Sequence, residues 1–279
     1  FFGSAMGDSK KCIVAGFPIE HSLSLHLFSL VHEHLGISCK ETKKISTNDF
    51  EKIFSDVQKS LVSEEYQNLI KKITEEIQGE NVVLELIDKI KITHYEKEFD
   101  GTILWGSITS PLKHQLGANS MNCFTLDERG LRTSMTDGFG VVLAAQQFGI
   151  DFDLKPVLCL KGGGSASAAT ANAWLSMGGV VRAIRGRRAL PIEILEKCDS
   201  KSDPDLYIDF DESSDSEHLV LFPKYRSEIV ISDNKIDGRW MLVAQHILSW
   251  AVLFAPEKKN DLPSVELLFK RLVLLESML

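Results

Sequence analysis

Two short phrases carry the residues best suited to proton transfer. Lys113 closes SITSPLK (107–113), and Asp137 lies within SMTDGFG (134–140). A lysine next to a carboxylate can hold or release a proton, and its charge stabilises a developing alkoxide. The two groups would titrate as a coupled pair. A glycine-rich phrase, LCLKGGGSASA (158–168), follows them. That order, a proton-transfer pair and then a phosphate-type turn, suggests proton transfer coupled to hydride transfer. The plainer alternative is a surface lysine and an aspartate capping the helix that begins GFGVVLAA, and Asp137 can serve in both ways.

The glycine phrase reads as strand, turn and helix. Gly162, Gly163, Gly164 and Ser165 would let the backbone approach a pyrophosphate, which then lies on the helix N-terminus. Lys161 stands where the usual first glycine would be, either contacting phosphate or weakening the turn. The alternative is a glycine-rich turn without a ligand; the strand–turn–helix context favours the cofactor. The next strand, VVRAI, runs into Arg185, Arg187 and Arg188. An acidic residue there would serve the ribose hydroxyls of NAD, whereas guanidinium groups suit the 2′-phosphate of NADP. A solvated basic turn is the alternative.

The elements that must hold these residues follow from periodicity. KCIVAG (11–16) reads as a buried strand, 25–35 as a helix and 41–46 as a strand. From 48 to about 78, Phe50, Ile53, Phe54, Val57 and Leu61, then Leu69, Ile70, Ile73 and Ile77, fall at helical spacing. GTILWGSIT (101–109) is a strand running into SPLK, a loop that Pro111 keeps extended. Residues 137–149 form a helix joining two domains. A regular alternation follows: strand 156–160, helix 166–177, strand 180–184, helix 191–198, and strands at 205–210, 218–222 and 228–232. It implies a parallel sheet with covering helices. Trp240–Phe254 and Ser264–Leu275 are apolar and helical.

The bulk composition fits this. The 279 residues are 44% hydrophobic and 25% charged, which suits a soluble globular protein of one large or two ordinary domains. A net charge of −8 disfavours a nucleic-acid partner, whose phosphates it would repel. No apolar run is long enough to span a bilayer. The start, FFGSAMGDSKK, lacks the apolar core of a signal peptide, and GSAMG looks like a vector scar, so residues 1–7 are left out of the fold reading. The five cysteines are scattered, with no CxxC or Cys/His ligand spacing, so neither zinc nor a disulfide framework is expected and a reducing cytosol is the simpler setting. His26, His32 and His34 share a helix but lack HExxH or a third ligand, and read as packed or exposed residues rather than a metal site. Asp209, Asp211, Glu212 and Asp215 read as a solvated acidic loop, and Trp105, Trp174, Trp240 and Trp250 as packing.

The series of phrases resembles the shikimate dehydrogenase family. GFPIEHSLS (16–24) is similar to its G-x-P-I-x-H-S-x-S loop, SITSPLK to N-V-T-x-P-x-K, MNC (121–123) to V-N-T and MTD (135–137) to N-T-D. KGGGSASA (161–168) is similar to G-A-G-G-A-x-x-A, and DGRWMLVAQ (237–245) to G-x-x-M-L-x-x-Q. Together they span nearly the whole chain in the family's order. The resemblance implies that Ser22 and Ser24 hold a substrate carboxylate, that Thr109, Asn122 and Gln245 bind ring hydroxyls, and that Lys113 and Asp137 are catalytic. Gly238 and Met241 would lie against a nicotinamide. The implied fold has an α/β substrate domain, 8–136 plus 240–279, and a Rossmann-like NADP-binding domain, 137–239, with the C-terminal helices returning to the first. The implied reaction is NADP-dependent interconversion of shikimate and 3-dehydroshikimate in the cytoplasm, with a homodimer left open.

The chain also departs from the pattern. Ser107, Leu25, Phe28, Cys123, Met135 and Lys161 replace the family's usual residues. The tyrosine expected before the C-terminal glycine has Phe222 and Tyr225 as candidates. The stretch between Ser24 and Ser107 is long, and that between Lys113 and Asn122 is short. These changes leave two alternatives: a dehydrogenase for quinate or another cyclic hydroxy acid, or a degenerate paralogue that binds ligand without turnover.

Overall fold

In KCIVAG, Cys12, Ile13, Val14 and Ala15 are all buried, because the strand is covered on both faces. Cys12 and Val14 face one apolar cluster, with Leu27, Leu30 and Val31; Ile13 and Ala15 face a second, with Phe50, Ile53, Leu112 and Phe124. The computed structural model describes residues 9–39, 41–55, 63–117, 119–199, 202–212, 217–225, 228–230 and 232–279. Val57, Leu61 and Asp215, which the sequence assigns to a helix or an acidic loop, lie outside them.

The first sheet contains β1 (Ser9–Gly16), β2 (Glu41–Ser46), β3 (Ile92–Tyr95), β4 (Thr102–Ile108), β5 (Cys123–Asp127) and β6 (Gly130–Ser134). Their order across the sheet is β2-β1-β4-β5-β6-β3. β1 pairs in parallel with β2 and β4, while β5, β6 and β3 run antiparallel to their neighbours. The second sheet is all parallel: β7 (Val157–Lys161), β8 (Val180–Ile184), β9 (Leu206–Asp209), β10 (Leu219–Phe222) and β11 (Lys235–Asp237), in the order β11-β10-β9-β7-β8.

Helices cover both sheets: α1 (Ser24–Leu35), α2 (Lys52–Ser55), α3 (Glu64–Glu76), α4 (Asp137–Gln147), α5 (Ser165–Ser176), α6 (Ile192–Leu195), α7 (Gly238–Ser249) and α8 (Val265–Met278). The α3 start is set chemically. The Ser63 hydroxyl accepts the Tyr66 amide, and Glu64 and Glu65 meet the positive helix end. α4 packs along both α5 and α7, and α8 returns to α1 and α3. The chain is therefore α/β with two sheets, as the sequence implies. No described helix is long and apolar enough to cross a membrane.

Three local expectations change. The strand expected at 228–232 is replaced by the short β11; there the Val230 amide donates to Asp237 Oδ2 at 2.9 Å instead of joining a ladder. The SPLK loop does not stay extended but closes into a 3-10 turn, Leu112–His114, whose Leu112 is fully buried. Helix 191–198 shortens to the single turn of α6.

Candidate active site

A cavity of about 270 Å³ lies between the two sheets. Ser22, Ser24, Thr109, Lys113, Asp137, Met241 and Gln245 line it. Residues from four phrases far apart along the chain thus meet in one place. Lys113 Nζ donates to Asp137 Oδ2, and both side chains are largely buried. The lysine is carried by the Leu112–His114 turn, anchored by buried Leu112 and by the Met121 amide donating to the Lys113 carbonyl (2.9 Å). The aspartate is the first residue of α4.

Asn122 stands behind the cavity wall. Its Oδ1 accepts the Thr136 amide (2.7 Å) and its Nδ2 donates to Thr136 Oγ1 (2.9 Å). Thr136 Oγ1 also lies 3.0 Å from the Gln245 carbonyl oxygen and from Ser249 Oγ. This buried network fixes the residue before Asp137 and ties β5, α4 and α7 together. Thr136 lies in the MTD phrase, but its bracing contacts, and Ser249 altogether, are seen only in three dimensions. Ser107, one of the departures from the family pattern, lines the cavity and donates to Ser24 Oγ at 3.3 Å. Tyr225 lines the cavity, with Lys224 and Phe210, and Phe222 does not.

The serine wall has the chemistry for an anion. Ser22 and Ser24 sit at the start of the 12-residue α1, whose N-cap, Leu23, offers no side-chain acceptor. The first turn of α1 holds no acidic residue. The positive end of the helix dipole therefore lies at the two hydroxyls, and the Ser24 amide donates to Ser22 Oγ at 3.4 Å. Burial above all pushes the nearby Cys123 thiol up to about 12, which disfavours a thiolate there.

The glycine turn fits a phosphate-bearing dinucleotide. Gly162 has φ +112°, a backbone conformation that glycine adopts at little cost. Gly164 caps α5 without a side-chain bond, and space around it is open. Ser167 Oγ, on a residue 1% exposed, has no partner and lies 3.2 Å from where a Gly162 Cβ would stand. Gly163 is closed off: a Cβ there would meet the Ala189 carbonyl oxygen at 2.2 Å. Gly238 likewise packs on the Phe222 carbonyl, away from the cavity lining. Arg185, Arg187 and Arg188 are exposed at the end of β8.

Within the acidic stretch Glu212 is exposed as expected, but Asp209 is not. Asp209 is 2% exposed, and its carboxylate accepts Lys161 Nζ (2.9 Å) and the Asp211 and Glu212 amides. Burial pushes the Asp209 carboxyl up, but Lys161 and the two amides together hold it below its ordinary value. Asp211 accepts the Arg187 amide at 2.6 Å and pairs with its guanidinium at 3.4 Å. Its Oδ1 lies 3.6 Å from the Gly162 Cβ position. Lys161 is thus engaged with the protein, and a carboxylate borders the turn.

The sequence matches no protein-family model and no curated protein. Solved structures do match over nearly the full length. Shikimate 5-dehydrogenase from Thermus thermophilus, in complex with NADP(H) and shikimate, is 17% identical with a TM-score of 0.62, over 95% of this chain and 99% of that one. Shikimate dehydrogenase from Aquifex aeolicus is 13% identical with a TM-score of 0.61, over 95% and 98%. Ligand-free 5-ketofructose reductase of Gluconobacter sp. strain CHM43 is 12% identical with a TM-score of 0.60, over 97% and 99%. The chain has the two-domain fold of these enzymes, including the Rossmann-like sheet.

Proposed function

We propose that this chain is an NADP-dependent shikimate dehydrogenase-like oxidoreductase that interconverts shikimate and 3-dehydroshikimate. The observation that carries the reading is the Lys113–Asp137 pair in a cavity that Ser22 and Ser24 also line. A carboxylate on the serine wall, at the α1 N-terminus, would place a ring against the ammonium group. Thr109 and Gln245 then offer donors and acceptors to ring hydroxyls. Asn122 acts through Thr136 rather than on the substrate.

When bound, the nicotinamide supplies or takes the hydride. On reduction, Lys113 Nζ delivers a proton to the carbonyl oxygen as the hydride reaches its carbon, and solvent restores that proton. Asp137 holds the ammonium in place and balances its charge. Met241, which lines the cavity, would lie against the nicotinamide. Gly162, Gly164 and Ser165 would hold the pyrophosphate, and Arg185, Arg187 and Arg188 the 2′-phosphate. Residues 8–136 with 240–279 form the substrate domain in this reading, and 137–239 the nucleotide domain.

A second substrate, quinate or another cyclic hydroxy acid, is favoured by one feature: Ser107 in the cavity wall. Assays with NADPH and 3-dehydroshikimate, and with NADP and shikimate or quinate, test both readings. Turnover should fall by about 10²–10⁴-fold in Lys113→Ala. Equal rates for the wild type and that variant would overturn the enzymatic assignment.

A further inference from the structure

Away from the cavity, three ligand-type side chains converge behind β1. Cys12 projects from β1, His32 from the last turns of α1, and Cys39 from the segment entering β2. Cys12 Sγ lies 3.5 Å from His32 Nε2 and 3.3 Å from Cys39 Sγ. All three ligand atoms fall within 4.8 Å of one another. Zinc with bonds of about 2.3 Å to sulfur and 2.0–2.1 Å to nitrogen separates S from N by about 3.5 Å and S from S by about 3.8 Å. The cluster matches the first distance and needs only a small opening of the second.

The setting suits a metal as well as the spacing does. Cys12 and His32 are buried, and Cys39 is half-buried. His32 is held in orientation by aromatic rings: Trp105 stacks at 5.8 Å and Trp250 meets it edge-on at 5.2 Å. A separate cavity of about 320 Å³, lined by His32, Cys39, Thr42 and Tyr66, reaches the open side of the triad. It gives a path for an ion and room for a fourth, water ligand. Two thiolates would neutralise a divalent cation, so the buried site would carry no net charge.

We infer that Cys12, His32 and Cys39 bind a zinc ion, which cross-links β1, α1 and the start of β2. The spacing of these residues along the chain matches no zinc signature, so the site is visible only in three dimensions. The ion would brace α1, the helix whose N-terminus carries Ser24.

The test is zinc titration of the reduced, chelator-stripped protein against a chromophoric competitor. Wild type should take up about one equivalent. Cys39→Ser should weaken uptake by at least ~100-fold, and Cys198→Ser should not. Cobalt titration gives a second readout that needs no variant. It should produce a sulfur-to-cobalt charge-transfer band and quench the emission of Trp105 and Trp250. Absence of uptake in the reduced wild type, equal uptake by Cys39→Ser, or a cobalt spectrum without the sulfur band would each overturn the inference. So would a Cys12–Cys39 disulfide whose reduction leaves zinc unbound.

Discussion

The carboxylate of Asp211 is the residue most at odds with a phosphate ligand, because it borders Gly162 and also holds Arg187. Asp211→Asn removes the like charge and releases the guanidinium. NADPH should bind about tenfold more tightly, as measured by calorimetry. An unchanged or weaker affinity would mean that the carboxylate supports the nucleotide instead. On the serine wall, Ser24→Ala should raise KM for the carboxylated substrate by about 10–100-fold with a smaller effect on kcat, the cost of losing a hydrogen bond to a charged group. Most of these residues were legible in the sequence, because Ser22, Ser24, Thr109, Lys113, Asp137 and Gln245 each sit in a phrase with a recognisable order. Ser249 and the Cys12–His32–Cys39 triad were not, because their partners lie far away along the chain and nothing local marks them.

Among the elements, the β7-α5-β8-α6 alternation of the second sheet was readable because β7 and β8 are short, largely apolar runs each followed by a helix. β5 and β6 were not. Cys123–Asp127 is buried at every position and Gly130–Ser134 at nearly every one, so neither shows the period-two alternation of a half-exposed strand. Their hairpin is marked only by Asp127, whose Oδ1 accepts the Arg129 amide (2.9 Å), and by Gly130 at φ +85°. The packing of α4 on α5 gives the prediction at this scale. A Cβ on Gly138 would stand 2.1 Å from the Ala169 carbonyl oxygen. Gly138→Ala should therefore lower stability by about 1–3 kcal/mol, read from the denaturant midpoint, because backbone must move to admit it. An undiminished midpoint would show that the two helices can separate freely.

For the whole molecule, acid stability should be governed by histidines buried in the core. Burial first, and neighbouring His32 second, lower the His246 pKa to about 3. Its Nδ1 accepts Trp250 Nε1 at 3.2 Å, and its Nε2 has no partner. The unfolded chain takes a proton near pH 6.5 where the folded one refuses it, so stability is complete above that pH and is lost as pH falls toward about 3. His246→Asn keeps an acceptor for Trp250 and cannot protonate in this range. Its melting temperature, lower at neutral pH, should change less between pH 6.5 and 4 than that of the wild type; an equal slope would place the sensitivity elsewhere. One contact reaches further than stability. Where Gly138 meets Ala169, main chain touches main chain, with no side chain between. Rotamers and most substitutions alter side chains only. The offset between Asp137 and the head of α5 is thus insulated from both, and under the proposed function substrate preference would be free to drift along the serine wall while the reach of the hydride stayed constant.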